Sequence, residues 1–219
     1  KRKGVFTMKT TKTIAKIAGA VLAGMMALSF AGCNEKNSGS GAASADGLTK
    51  AQAKLLKGKP APEADFEIEL SKDGSYVTIK KYKGKAKEVV IPSTIQGLPV
   101  KALKGWFAGG GALTGVVIPE GVEYLFPGFG YNKNLTTVVL PSTLKVIGDE
   151  AFEDCEKLAT INLPEGLVYI GSMAFMGAGL TSVTLPKSLK GIGGSAFFYC
   201  NSLAEINIPD GHSIIDLSI

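Results

Sequence analysis

His212 is the only histidine of the chain, and it stands near the end of the sequence. A Ser-His-Asp set would have to be built on it, in the last unit of whatever folds around it. Three cysteines and one histidine leave little from which to assemble a metal site or thiol chemistry. Gly191-Ile-Gly193-Gly-Ser-Ala196 reads GxGxxA, the outline of a dinucleotide loop. That loop works only between a strand and a helix, with an acidic residue farther on. The same slots read VIGDEA and YIGSMA upstream, so the match is a by-product of repetition. Glu150, Glu153, Asp154 and Glu156 crowd one short stretch where a hard cation could sit. Parallel stretches have no such cluster, which favours a solvated acidic loop. Asn134-Leu-Thr136 is a glycosylation sequon. No nucleophile, base and orienting acid come together. The expectation is a protein that is not an enzyme and holds no cofactor or metal.

What surrounds these groups is a repeat. LPSTLKVIGDEAFEDCEKLATIN, residues 140–162, is followed by LPEGLVYIGSMAFMGAGLTSVT, residues 163–184, and LPKSLKGIGGSAFFYCNSLAEIN, residues 185–207. Looser copies occupy 91–117 and 118–139, and a sixth begins at Ile208. Pro119, Pro141, Pro164, Pro186 and Pro209 mark a spacing of 22 or 23 residues. Fixed Leu/Ile positions at that period are the signature of a leucine-rich-repeat solenoid. The fold class expected is mainly β with irregular loops: about five to six repeats behind an N-terminal β-hairpin cap. The pattern L-x-x-I-x-L places Ile161 and Leu163 on one strand face with Asn162 between them facing outward. Phe107, Phe129, Phe152, Phe175 and Phe197 share one slot and should stack as an aromatic ladder in the core. Gly148, Gly171 and Gly193 recur after the second apolar pair, where a positive φ or a close backbone approach is expected.

Residues 140–207 fit LxxIxLPxxLxxIGxxAFxxC closely, and residues 91–139 fit it more loosely. On these positions the chain resembles the BspA-like family of leucine-rich-repeat proteins. Ile79-Lys-Lys-Tyr82 and then VVIPSTIQGLPV, from Val89 to Val100, resemble the family's approach to its first repeat. The resemblance implies an exported bacterial protein with a solenoid fold. It also implies a binder of other proteins, some of them host matrix components, without enzymatic activity.

Residues 1–32 hold six Lys or Arg and no Asp or Glu. Lys9, Lys12 and Lys16 precede or open an apolar run from Ile14 to Phe30, the composition of a secretory signal peptide. The run is also about as long as the shortest membrane spans, so a permanent anchor is the alternative. Phe30-Ala-Gly-Cys33 resembles a bacterial lipobox, with Phe30 in place of the usual Leu. That resemblance implies a lipid on Cys33 and durable membrane attachment. Subtracting the leader leaves 24 − 6 = 18 basic residues against 19 acidic ones, a net −1 instead of +5. The alkaline balance therefore belongs to the leader and gives no reason to expect nucleic-acid binding. Asn34–Gly47 is rich in Ser, Gly and Ala and reads as a flexible tether. The divisions expected are 1–32 signal peptide, 33–47 tether, 48–90 cap and 91–219 solenoid.

In the cap, Thr49 and Gly58 bracket a short helix. Phe66–Leu70 and Tyr76–Ile79 alternate around Lys72-Asp73-Gly74, a hairpin pattern. Lys80, Lys81, Lys83, Lys85 and Lys87 follow within eight residues. They suit a polyanion such as a glycosaminoglycan or anionic lipid, or else a solvated edge that discourages strand pairing. The candidate protein-binding residues are the outward positions of the repeats. One stripe holds Val117, Val139, Asn162, Thr184 and Asn207, with Thr137, Thr160, Ser182 and Glu205 nearby. The other holds Tyr124, Lys145, Tyr169 and Lys190. Cys155 and Cys200 occupy one slot two repeats apart, about 10 Å, beyond the reach of a disulfide. Two buried free thiols are expected. The sixth copy stops before an Ala-Phe pair, and residues 210–219 are expected to fray and to matter little for stability. Together these features point to a membrane-anchored surface lipoprotein that binds protein, as an adhesin for host or matrix proteins, with a structural or assembly role in the periplasm or envelope, without a host ligand, as the alternative. Nothing in the pattern specifies an oligomeric state.

Overall fold

The computed structural model describes residues 48–105, 107 and 112–207. The expected signal peptide, Cys33, the tether, His212 and the sixth copy lie outside the described residues.

Successive turns of the chain stack one coil on the next and contribute short strands to two sheets, except that residues 159–163 form none in the first. The first sheet pairs β3 (Glu88–Val90), β6 (Gly115–Val117) and β8 (Thr137–Val139) in parallel. It resumes as β11 (Ser182–Thr184) beside β13 (Glu205–Asn207). Glu88–Val90 thus supplies the first rung from within the segment 48–90. The second sheet starts from the cap. β1 (Phe66–Leu70) and β2 (Val77–Tyr82) form the expected hairpin, with a bulge at Glu67/Ile68. β5 (Leu98–Leu103) lies parallel to β2, with the two-residue β4 (Thr94–Ile95) turned back against it. β7 (Tyr124–Leu125), β9 (Val146–Ile147), β10 (Tyr169–Ile170) and β12 (Gly191–Ile192) then follow one per coil. Sequential parallel strands of two or three residues are what a 22- or 23-residue period produces. Each coil has length for two brief strands and the corners between them.

The core between the sheets holds the repeated Leu, Ile and Phe positions, most of them inaccessible to solvent. Phe107, Phe129, Phe152, Phe175 and Phe197 stack with successive ring centroids 5.0, 5.6, 5.4 and 5.4 Å apart. Their backbones are laddered as well. Phe129, Phe152 and Phe175 donate N–H bonds of 2.9, 2.7 and 2.8 Å to Ala151, Ala174 and Ala196 of the next coil. Cys155 and Cys200 are free and buried. Each thiol donates to the carbonyl of the Phe one repeat upstream, Cys155 to Phe129 at 3.2 Å and Cys200 to Phe175 at 3.0 Å.

Gly148, Gly171 and Gly193 serve close approach and do not bend at positive φ. A Cβ on Gly148 would stand 2.8 Å from the Leu125 carbonyl oxygen, and one on Gly171 would overlap the Asp149 nitrogen. The left-handed residues are elsewhere in the coil. Glu150, Met173 and Ser195 share one such slot, with φ of 56°, 54° and 59°. Tyr131, Asp154, Gly177 and Tyr199 share another, with φ between 51° and 68°. Side chains fill all but one of these positions despite the steric cost of αL, because the coil closes only through that turn.

α1 (Lys50–Leu55) is the expected short helix, and it carries a capping box. Thr49 Oγ1 accepts from the Gln52 N–H at 3.2 Å, and Gln52 Oε1 accepts from the Thr49 N–H at 2.9 Å. A helix this short does not persist alone in water. It is held because Leu55 buries itself against Val117 and Val139 on the outer surface of the first sheet. Gln52, 2% exposed, also donates from Nε2 to the Val138 carbonyl at 2.8 Å.

Candidate functional site

The two faces differ in what remains open. On the first, α1 covers Val117 and Val139, which are 6% and 4% exposed. Val139 is therefore a core residue and not a surface candidate. Its outward direction is as expected, but an element from far upstream in the chain lies on it. Beyond the helix the stripe is polar: Asn162, Thr184 and Asn207 are exposed. Asn162 Nδ2 reaches Gln52 Oε1 at 3.4 Å, so the polar stripe begins where the helix ends. Ile161 is buried and Leu163 half-buried, as the L-x-x-I-x-L pattern requires, yet residues 159–163 form no regular strand. The Gln52 amide occupies the Val138 carbonyl that faces this segment. A shallow groove of about 280 Å³ results, lined by Thr160, Asn162, Glu165, Ser182 and Thr184 among others.

On the second face Ala102 beside Tyr124 is buried, and the outward row from Tyr124 to Gly191 is half-buried with no helix laid over it among the described residues. Tyr124 pairs with Val146, and Val146 pairs with Tyr169, so two half-buried tyrosines stand two rungs apart with a valine between them. Rungs about 4.8 Å apart make that roughly 10 Å. Tyr169 lies over Gly191, where a Cβ would come within 3.1 Å of its ring. Burial raises the phenol pKa of both tyrosines, with the Glu123 charge adding to the effect at Tyr124. Phe126, 38% exposed, stacks on Tyr124 with ring centroids 6.3 Å apart and planes 10° apart. Sequence reasoning missed Phe126. The signal was its place directly after Leu125, where the later repeats carry Gly148, Gly171 and Gly193. Lys145 and Lys190 are exposed beside this aromatic row, and Lys101 pairs with Glu123 at 2.9 Å. Large, stiff and amphipathic side chains backed by a rigid sheet, with lysines at the margin, are what a protein interface uses as anchors.

The lysine run divides. Lys80 and Lys81 belong to β2, which has β1 on one side and β5 on the other, so this is not an edge strand. The edge is β1, whose Glu69 pairs with Lys80 at 3.1 Å. Tyr82 is a core residue against Phe66. Lys83, Lys85 and Lys87 are exposed on the connection to β3.

The acidic stretch is dispersed among separate partners. Glu153 is 6% exposed; burial raises its carboxyl pKa, and its bond to the Tyr131 hydroxyl opposes that rise. Glu156 pairs with Lys133 across coils at 2.7 Å. Among the described residues no three His, Cys, Asp or Glu side chains converge on one point, and no helix is long and apolar enough to cross a membrane. In the GxGxxA stretch Gly193 presses on the backbone of the preceding coil at Ser172, and turns follow β12 where a dinucleotide site needs a helix.

Residues 123–219 match six copies of the BspA type leucine rich repeat region. The T. pallidum leucine-rich-repeat protein is similar over 68% of this chain and 71% of its own, with 35% identity and a TM-score of 0.62. A leucine-rich-repeat protein from Bacteroides ovatus is similar over 68% of this chain and 41% of its own, with 28% identity and a TM-score of 0.60. No curated protein sequence matches.

Proposed function

Since the chain belongs to the BspA-type leucine-rich-repeat proteins, whose solenoids offer long faces for protein partners, we propose that it binds another protein through its second face. The role proposed is adhesion to a host or matrix protein, by a lipoprotein held at the bacterial cell surface through Cys33. The observation that carries the choice of face is the open row of Tyr124, Phe126, Val146 and Tyr169, set against a first face whose apolar half is closed by α1. Lys145 and Lys190 border the row and steer an acidic partner toward it. Asn162, Thr184 and Asn207 present polar groups without an aromatic anchor, which suits the margin of a contact better than its centre.

The test is binding of the purified chain to immobilised extracellular-matrix proteins, with Tyr124→Ala/Tyr169→Ala as the comparison. Truncation of two central aromatics should weaken binding by roughly tenfold or more. Unchanged binding by the double variant would move the site to the first face. Protease treatment of intact cells tests location: a chain cleaved only after the envelope is opened is a periplasmic component, and the adhesin reading then fails.

A further inference from the structure

Residues 50–59 carry Lys50, Lys54, Lys57 and Lys59 and no acidic residue. The fold lays this segment along the first rung of the first sheet. The Ala61 N–H donates to the Val90 carbonyl at 2.8 Å, and a Cβ on Gly58 would come within 2.9 Å of Val90 Cγ2. Lys54, Lys57 and Lys59 thereby line a groove of about 330 Å³ together with Glu88. Glu88 in turn follows Lys83, Lys85 and Lys87 in the chain. Glu88 thus links two lysine-rich segments more than twenty residues apart in the chain, one lining the groove and one leading into it. All seven lysines are exposed. None joins an ion pair among the described residues, where the three pairs engage Lys80, Lys101 and Lys133 instead. Leu56, 39% exposed, closes α1 between Lys54 and Lys57.

We propose that this lysine-rich end is a binding surface for anionic lipid headgroups. The ammonium groups of Lys54, Lys57 and Lys59 engage headgroup phosphates, Lys83, Lys85 and Lys87 extend the positive field, and Leu56 enters the boundary between headgroups and acyl chains. Clustered lysines beside a membrane attachment are drawn to anionic leaflets. The leucine decides between a lipid surface and a sulfated polysaccharide: an apolar side chain among lysines is used at an interface with acyl chains and wasted against a soluble polyanion. The orientation rests on the Cys33 anchor, but the chemistry does not. In the sequence only fourteen residues, 34–47, separate Cys33 from the domain. The anchor then holds the cap end near the bilayer, and the lysines fix which end faces it, leaving the aromatic face free for a partner.

The experiment uses residues 33–219 carrying Cys33→Ser, so that neither an acyl group nor the basic, apolar leader contributes, mixed with vesicles of phosphatidylcholine alone or with about 30% phosphatidylglycerol. Co-sedimentation should be about tenfold stronger on the anionic vesicles and lost in about 0.5 M NaCl, where charges are screened within a few ångströms. Lys54→Glu/Lys57→Glu/Lys59→Glu should abolish that preference, and Leu56→Ser should weaken binding at every salt concentration. Circular dichroism confirms that each variant is folded. A triple variant that binds anionic vesicles as its parent does would overturn the proposal. So would retention on heparin that the triple variant loses while vesicle binding stays the same, since that marks a polysaccharide site. Detergent partitioning of the chain with Cys33 intact tests the anchor separately, so each reading can fail without the other.

Discussion

Cys155 and Cys200 show how a single slot is used by the stack. Burial pushes their thiols up to about 12 and about 11, from an ordinary 9.0. Each hydrogen-bonds a Phe carbonyl of the coil before it, so each is a small apolar filler with one donor to place. Ala178 fills the same slot between them and is equally buried, so the slot requires small volume and does not require sulfur. The pH dependence follows from the direction of the shifts. The unfolded chain loses these protons near pH 9 while the folded chain keeps them. Their contribution is therefore complete below pH 9 and is lost as pH rises toward 11 and 12. Urea unfolding at pH 8 and pH 10 should show the fall, and Cys155→Ala/Cys200→Ala should flatten it; an unchanged slope would place the cause elsewhere. Labelling after denaturation without reductant should count both thiols. This slot was legible in the sequence because equal spacing puts equal residues on one line. The left-handed turns at Glu150, Met173 and Ser195 were not legible, since glycine, the usual marker of that conformation, stands two residues earlier for a different reason.

At the scale of elements, α1 is the piece whose existence the sequence announces and whose effect it conceals. Thr49 and Gly58 mark its ends within ten residues, a local signal. Its function is set by Leu55 meeting Val117 and Val139, 62 and 84 residues downstream, a contact that no periodicity encodes. The same non-local packing turned Val139 from an exposed position into a buried one and brought Lys54, Lys57 and Lys59 alongside β3. Gln52 is the point at which helix and sheet depend on each other. Its side chain satisfies the helix N-terminus at Thr49 and the Val138 carbonyl together. Gln52→Ala leaves that carbonyl unpaired under the helix, at a cost of about 1–3 kcal/mol. The expected loss is local: amide exchange should accelerate at residues 50–56 in Gln52→Ala and more so in Leu55→Ser, with the coils from β9 onward unchanged. Equal acceleration throughout the chain would show that the helix is integral to the fold and not a strap laid over it.

The whole molecule is a one-dimensional stack, and its two sheets do not transmit along it equally. The first sheet breaks at residues 159–163, where no regular strand joins β8 to β11. The second runs unbroken from β1 in the cap to β12. Coupling between the two halves therefore passes through the second sheet and the phenylalanine stack. The rings become more nearly parallel along it, from 37° between Phe107 and Phe129 to 12°, 6° and 5° beyond. In such an array stability is the sum of each coil and its neighbouring interfaces. Phe152 has a ring on either side and sits level with the break, so removing it weakens two interfaces where the first sheet has no regular strand and Thr181 bonds only the Ala159 carbonyl across the coils. Phe152→Ala should cost about 3–5 kcal/mol, the range for truncating a buried aromatic. More informative is the shape of the transition. If the halves are joined mainly there, urea unfolding of Phe152→Ala should separate into two steps, with exchange at residues 48–130 and 175–207 reporting different midpoints. Phe107→Ala, at the cap end of the stack, should shift one transition without dividing it. A single cooperative step for Phe152→Ala would mean that two-residue strands of the second sheet suffice to couple the coils by themselves.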